Sequence, residues 1–386
     1  MALLLLSGCS LFQGPWRSRA PAPVAVVKPP PPPPPAPPAL PAPSDNHKFV
    51  LDPDNDVYGE VQITQTSKED TLSDIARRFN VGYEEIVHAN PGVDPWVPGT
   101  GRKIVVPTRF VLPDAPRDGI VIDLAALRLY YFPSHKRGEQ AVFYTYPIGI
   151  GRMGWKTPVG TTKVVAHVKD PVWRPTAALR KEHHDDGDDL PAVVPAGPDN
   201  PLGKYELRLG WPSYLIHGTN KPYGVGLRSS HGCIHLYPED IEKVFKMVPI
   251  GTPVHVVNEP FLFGLHDGQL YLQAYTPLKD DQRAWSKASP KLLLQSMPAR
   301  VRREVAKQHE AVDWDLVRQI MAQPRNVPVP LSGAHNSVAA VLAAAPLVQN
   351  RIPAGANWDG KDDSGPATQA DTDAPAETAA TPSHRT

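Results

Sequence analysis

The chain has almost no cysteine: its 386 residues carry two, Cys9 and Cys233. With no second thiol close by, nothing in the chain would trap Cys233 in a disulfide, even in an oxidising compartment. Net charge is also absent, with 40 Lys plus Arg against 40 Asp plus Glu. A nucleic-acid partner would need a basic stripe, so none is expected. No stretch approaches the roughly 18 apolar residues of a membrane-spanning helix. What the chain has in excess is proline, 47 residues, concentrated in the first 45 positions and, less densely, after 324. The length allows two or three domains.

The residues able to carry chemistry gather in one run, His217-Gly218-Thr219 and then Ser229-Ser230-His231-Gly232-Cys233-Ile234-His235. Cys233 has a histidine two residues to either side and a third sixteen residues upstream. A lone Cys with such neighbours is a candidate nucleophile, because the thiolate attacks and a nearby base must make it. Tyr214-Leu215-Ile216 is apolar and β-prone, so His217 is expected at the end of a buried strand. Pro238 to Phe245 predicts a helix, with Glu239 and Asp240 in its first turn and Ile241, Val244 and Phe245 on one face. Cys233 then falls in the turn between strand and helix, where the N–H groups of Gly232 and Cys233 would face a developing oxyanion.

His-Gly-Thr, a spacer and Ser-His-Gly-Cys-Ile resemble the active-site signature of the L,D-transpeptidase catalytic domain of bacterial cell walls. The resemblance implies Cys233 as nucleophile and His217 as general base, with the Gly218 carbonyl orienting the His217 ring. It places His231 and Gly232 at the acyl pocket. Ser230, Arg228, Tyr205 and His235 are the candidates for holding substrate. One position departs from the family, which carries Arg after the Cys-Ile pair where this chain has His235. A histidine carries full charge only below about pH 6.5, so a weaker hold on a substrate carboxylate is expected.

Residues 118–257 read as the catalytic region. Gly119 to Leu124 and Leu127 to Phe132 predict paired strands around Ala125-Ala126, and Val142 to Gly151 and Thr157 to Ala166 predict further strands. Successive short β runs with Pro and Gly punctuation predict a mainly β, sandwich-like domain with a short helix after the Cys. Pro147-Ile148-Gly149-Ile150-Gly151, Thr157-Pro158-Val159-Gly160 and the stretch from Asn200 to Leu209 also match the family, extending the resemblance over about 140 residues. The charged run from Arg180 to Asp189 is read as a solvated loop or, more sharply, as a lid favouring amine over water as acceptor. His183 and His184 beside its aspartates are not expected to hold metal.

Residues 58–108 read as a separate βααβ module. Val61 to Thr66 alternates like a strand. Asp70 is expected to cap a helix with Leu72, Ile75, Ala76 and Phe79 on one face, Tyr83 to Ala89 is a second helix, and Lys103 to Pro107 closes with a strand. The order is similar to a LysM module, which binds glycan containing N-acetylglucosamine. Carried over by position, the groove lies near Glu69, Asp70, Thr71, Asn90, Pro91 and Gly92.

Residues 1–9 end in Leu6-Ser7-Gly8-Cys9, which resembles a lipobox and makes Cys9 the lipidation candidate. No basic residue precedes the short apolar core, so an upstream start codon is expected. Residues 10–57 read as a Pro-rich linker. The 26 residues from 19 to 44, with seven consecutive prolines at 29–35, would reach roughly 80 Å as polyproline II. Lipid anchor and spacer together predict a periplasmic protein on the outer membrane of a Gram-negative bacterium. Residues 258–330 read as an extension with a strand at Gln269 to Ala274 and a helix from Arg300 to about Gln323, Trp314 packing back on the β domain. Residues 331–386 are assigned to a disordered tail.

The expected chemistry is thioester acyl transfer. A thiolate–imidazolium pair of Cys233 and His217 attacks the diaminopimelate carbonyl of a tetrapeptide stem, D-Ala leaves, and an amine of another stem or of a lipoprotein resolves the acyl-enzyme. The substrate identities come from the resemblance. No cofactor is expected. The rivals are a hydrolase of the same bonds, a catalytically dead peptidoglycan-binding protein, and a zinc site formed by His217, His231, Cys233 and His235.

Overall fold

Short apolar strands ending in Gly, Pro or Asn build most of the molecule, seen in a computed structural model. The structure describes residues 39–44, 47–308, 312–333 and 336–361. Every element described below lies within Leu40–Thr386. Cys9 and the seven-proline run lie outside the described residues.

Two strands, β1 (Lys48–Val50) and β2 (Val57–Gly59), lie inside and at the end of the stretch assigned to the linker by composition, β2 starting at its last residue. They are recruited because each finds an unpaired edge, β1 on a strand of the main sheet and β2 on Arg109–Val111. The βααβ module follows as β3 (Gln62–Gln65), α1 (Leu72–Arg78), α2 (Tyr83–Ala89) and β4 (Lys103–Val106). Leu72, Ile75, Ala76, Phe79, Ile86 and Ile104 form its core, as the helical spacing predicts. The cap of α1 is Thr71, not Asp70. Thr71 and Asp74 satisfy each other's backbone N–H groups in a capping box, while Asp70 accepts from the Ser67 N–H and pairs with Arg78.

After the module comes β5 (Arg109–Val111), and the catalytic region follows with β6 (Gly119–Asp123), β7 (Arg128–Phe132), β8 (Val142–Pro147), β9 (Ile150–Gly151) and β10 (Gly160–Lys169). Then come α3 (Ala177–Asp185), β11 (Tyr205–Leu209), β12 (Leu215–His217), β13 (Arg228–Ser230), β14 (Ile234–His235), α4 (Pro238–Met247) and β15 (Pro253–Val257). Nine strands form one sheet in the order β1-β8-β7-β6-β15-β10-β11-β12-β14. Strand β10 pairs with β15 through Lys163 and with β11 from Val164 onward, and its register breaks between Val164 and Ala166. A bulge of this kind bends a strand and raises its twist, which curls the sheet around Ile122, Leu129, Leu207, Ile216 and Ile234. Ile241 and Val244 of α4 pack into the same core.

The module is seated on this sheet. Arg128 of β7 is fully buried and meets Glu85 of α2 through two hydrogen bonds of 2.9 and 2.7 Å. Asn80 donates to the Thr145 carbonyl, and Tyr237 donates to that of Val81. The first N–H groups of α2, Tyr83 and Glu84, donate to the carbonyls of Val225 and Gly226. Gly226 has φ +86°, and a Cβ there would lie 2.1 Å from the Tyr83 nitrogen, so only glycine permits the approach.

A third sheet, β16 (Phe261–His266), β17 (Gln269–Ala274) and β18 (Val329–Pro330), is covered by α5 (Pro290–Ser296), α6 (Ala299–Gln308) and α7 (Trp314–Ala322). The helix expected from Arg300 to Gln323 is thus two, with Asp313 capping the second. Trp314 joins the cluster of this extension, not the catalytic core. The tail assignment is corrected for residues 336–361. Ser337 caps α8 (Val338–Ala344), Leu347 bridges to Ile63, and Val348 is buried in the module core. Asn350 donates to Gln65 and Asp70, and Arg78 donates to the Gly360 carbonyl. Composition hid this strap because backbone pairing at the β3 edge, with Val348 as its apolar anchor, holds it.

Candidate active site

Strands β12 and β14 run parallel with His217 opposite His235. Cys233 ends the turn that leads into β14, two residues before His235. The rings of His217 and His235 lie 6.1 Å apart. Cys233 is half-buried, and its thiol donates to the Ser213 carbonyl at 3.6 Å. The Leu215 N–H faces the sulfur. Gly232, at φ +104°, makes the turn. The Gly232 carbonyl accepts from Thr157 at 2.9 Å and the Cys233 carbonyl from Ser230 at 2.5 Å. Both carbonyls of the turn are therefore held by hydroxyl donors.

His217 is 7% exposed, and its Nδ1 lies 2.6 Å from the Gly218 carbonyl. A carbonyl only accepts, so Nδ1 carries the proton and Nε2 the lone pair. Burial, with His235 close by, lowers the His217 pKa to about 3. Burial likewise lifts the Cys233 thiol to about 11, against the Leu215 N–H, which favours the thiolate. Both shifts favour a neutral thiol and a neutral imidazole at rest, against the expected thiolate–imidazolium pair. Desolvation penalises both charges before a substrate arrives.

The four candidate substrate-holding residues separate. Ser230 locks the turn through the Cys233 carbonyl. Arg228 is closed on Asp280 and reaches the Gly151 carbonyl. The Tyr205 ring packs on Phe245 of α4 at 4.8 Å. His235 is 6% exposed, bonds through Nε2 to the Gly224 carbonyl at 3.0 Å, and is held neutral by burial to about 4. Tyr205 and His235 are thus packing and positioning groups in this structure, because each finds its partner inside the fold.

His231 faces a wall that the motif alone did not reveal. Its Nε2 lies 3.0 Å from Arg152, and Trp155 meets its ring edge-on at 5.1 Å. Glu182 of α3 pairs with Arg152, accepts from the Trp155 indole at 3.1 Å and lies 4.0 Å from His231. The run from Arg180 to Asp189 is therefore part helix, with Glu182 turned inward and His183 and His184 paired to Asp188 and Asp189. The available signal was an Arg and a Trp between Gly151 and the Thr157-Pro158 turn, two large side chains in a glycine-punctuated loop. Among the described residues no three His, Cys, Asp or Glu side chains form a metal-holding group.

In the βααβ module, Asp70 and Asn90 are buried. Asp70 neutralises Arg78, and the Asn90 amide clasps the backbone of Val105. Neither lines an open groove, since each already has its partners. Thr71 is half-buried, and Glu69, Pro91 and Gly92 are exposed. The two loops close on each other where the Leu72 N–H meets the Pro95 carbonyl.

Comparison with known proteins defines the class first. The family model described as L,D-transpeptidase catalytic domain (YkuD) matches residues 117–256, and the LysM domain matches residues 66–107. Over 263 residues the chain is 40% identical to the Salmonella typhimurium protein named "Probable L,D-transpeptidase ErfK/SrfK", covering 68% of this chain and 82% of that one. Over 242 residues it is 41% identical to the Escherichia coli protein named "Probable L,D-transpeptidase YbiS", covering 62% and 75%. A solved catalytic domain of the E. faecium L,D-transpeptidase is 28% identical over 36% of this chain and 95% of that one, with a TM-score of 0.27. The chain belongs to the L,D-transpeptidase family. It is an L,D-transpeptidase with a LysM module and a mainly β catalytic domain built on a curled sheet.

Proposed function

We propose that this enzyme cross-links peptidoglycan, with Cys233 as nucleophile and His217 as base. The observation that carries the reading is the half-buried thiol two residues before His235, which pairs in register with a His217 whose Nδ1–H is fixed on Gly218. Because the resting pair is neutral, the thiol proton passes to His217 Nε2 as sulfur attacks the diaminopimelate carbonyl of a tetrapeptide stem. The N–H groups of Gly232 and Cys233 take the oxyanion. The amide C–N bond breaks, and His217 returns the proton to the leaving D-Ala amine. An amine of a second stem, or of a lipoprotein, then attacks the thioester. His217 takes its proton, the amide forms, and the thiol is restored.

The position of α3 over Trp155 and His231 favours an amine over water as acceptor, since a covered thioester is shielded from hydrolysis. Glycan is bound by the LysM module, for which exposed Glu69, Pro91 and Gly92 are the available edge. The Cys9 lipobox and Pro-rich spacer support anchoring by lipid in the outer membrane, with the enzyme facing the periplasm and its wall. Incubation with defined muropeptides tests the reading by product mass. Cross-linked products and released D-Ala are expected from the wild-type chain and neither from Cys233→Ala. A carbapenem should add its mass at Cys233, and a chain that takes no adduct and makes no product is a dead binding protein.

A further inference from the structure

We infer that Arg152, with Trp155 and His231, forms the receptor for the terminal carboxylate of the donor peptide, and that Glu182 of α3 occupies this receptor in the resting enzyme. The inference rests on Cys233 being the nucleophile. Two donors of different kinds converge on one carboxylate of the chain itself, the Arg152 guanidinium and the Trp155 indole N–H at 3.1 Å, while His231 Nε2 accepts from Arg152 at 3.0 Å and holds the guanidinium in place. Guanidinium with a second N–H donor is the arrangement that holds a carboxylate by charge-assisted hydrogen bonds.

The receptor is stitched to the turn that bears the thiol. The Arg152 N–H donates to the Ser230 carbonyl, and Thr157 links the Gly151 N–H to the Gly232 carbonyl. In a donor cut before its last residue, the carboxylate follows the scissile carbonyl by only a few bonds, so it falls beside this wall. The other cationic candidates are committed. Arg228 is closed on Asp280, which also faces Lys156, and His235 is buried, neutral and tied to Gly224. By contrast Arg152 and Glu182 are 28% and 30% exposed, so water and an incoming carboxylate reach them. Glu182 sits on a nine-residue helix whose one buried residue is Leu179. Such a helix moves aside at little cost. The donor carboxylate then replaces Glu182 on Arg152 without a net change in charge pairing. The carboxylate leaves with the D-amino acid, and Glu182 returns over the thioester.

Two matched tetrapeptides, one a free acid and one a C-terminal carboxamide, test this with the full chain. Binding is measured in the Cys233→Ala background, and acylation of Cys233 is followed by mass. The acid should bind and acylate about tenfold better than the amide, the size of one charge-assisted contact. Arg152→Ala should erase that ratio by raising KM for the acid alone, Arg152→Lys should restore part of it, and Glu182→Gln should lower KM for the acid severalfold. An acid-to-amide ratio untouched by Arg152→Ala overturns the inference. So does a Glu182→Gln effect equal on both peptides, which marks a simple latch. Absence of acylation with selective binding intact sinks the nucleophile assignment and leaves the receptor standing.

Discussion

Arg128 with Glu85 and Arg152 with Glu182 are the same chemical pair in two settings. The first joins the LysM module to the sheet with side chains 0% and 3% exposed; the second joins α3 to the thiol wall at 28% and 30%. Around Arg128 four of the five N–H donors are used: Glu85 takes two, Thr145 takes one and Asn80 takes one, and Phe110 stacks on the guanidinium at 4.1 Å. Around Arg152 the partners include a part-exposed carboxylate from a surface helix and a histidine ring. A charge removed from water and fully bonded fixes a position. A charge still in contact with water exchanges partners at low cost. The module is therefore part of the scaffold of the active site, and α3 is its adjustable cover.

Breaking the buried pair should have the largest effect. Glu85→Ala leaves the Arg128 charge unpaired in the interior, a loss of about 3–5 kcal/mol. For a chain of this size the midpoint should fall by roughly 5 °C. Thermal unfolding followed by circular dichroism measures it. A loss under about 1 kcal/mol would show that the seat is wetter than described and would erase the contrast with α3.

The next effect tests whether the seat reaches the chemistry. Gly226 contacts the start of α2, and Gly224, in the same loop, accepts from His235, which faces His217. Gly226→Ala places a methyl group 2.1 Å from the Tyr83 nitrogen at φ +86°. Backbone strain of this kind costs about 1–3 kcal/mol. kcat should fall at least tenfold with KM little changed, even for a stem peptide too short to touch the module. An unchanged kcat would make the module a tethered bead on the enzyme.

What the sequence made legible follows the same division. The buried strand ending at His217 and the helix from Pro238 were readable because periodicity and Gly or Pro boundaries are local signals. So were the α1 core positions. The thiol turn was expected to lead into the helix from Pro238, but it joins β13 to β14, whose two residues are too short to leave a periodicity. Arg128 and Glu85 were silent, since 43 residues separate them and a charged residue in a β run is read as facing solvent. Asp70 and Asn90 were misplaced for the converse reason. Polar residues in loops are read as ligand-facing, yet here they satisfy buried backbone and Arg78. The strap at 346–350 escaped because backbone pairing at a strand edge leaves almost no mark on composition.

The histidines extend the comparison to pH. His217 on the buried side has its pKa lowered to about 3 and Cys233 has its own raised to about 11. A base must be unprotonated to act, and with so low a value His217 is unprotonated throughout pH 5–9, so no acid limb is expected near 6.5. The thiol remains protonated over the same range, so kcat should be flat there. Alkylation of free Cys233 should rise about tenfold per pH unit through pH 9 without a plateau at the ordinary thiol value of about 8.5. A plateau at 8.5, or a bell centred near neutrality, would return the resting site to an ion pair.

The smallest effect belongs to the cover. Glu182→Gln removes the anion from a half-exposed pair, and such pairs contribute about 0–1 kcal/mol after solvent screening and side-chain ordering are set against the Coulomb gain. The amide still accepts from the Trp155 indole, so packing is retained. Unfolding should move by less than about 0.5 kcal/mol, an order of magnitude below Glu85→Ala, although both changes break an Arg–Glu pair in one chain. Denaturant titration of the two variants side by side gives the ratio. Near-equal losses would mean that α3 is as fixed as the module, and an enzyme with both sides locked has no way to admit a stem peptide to Cys233.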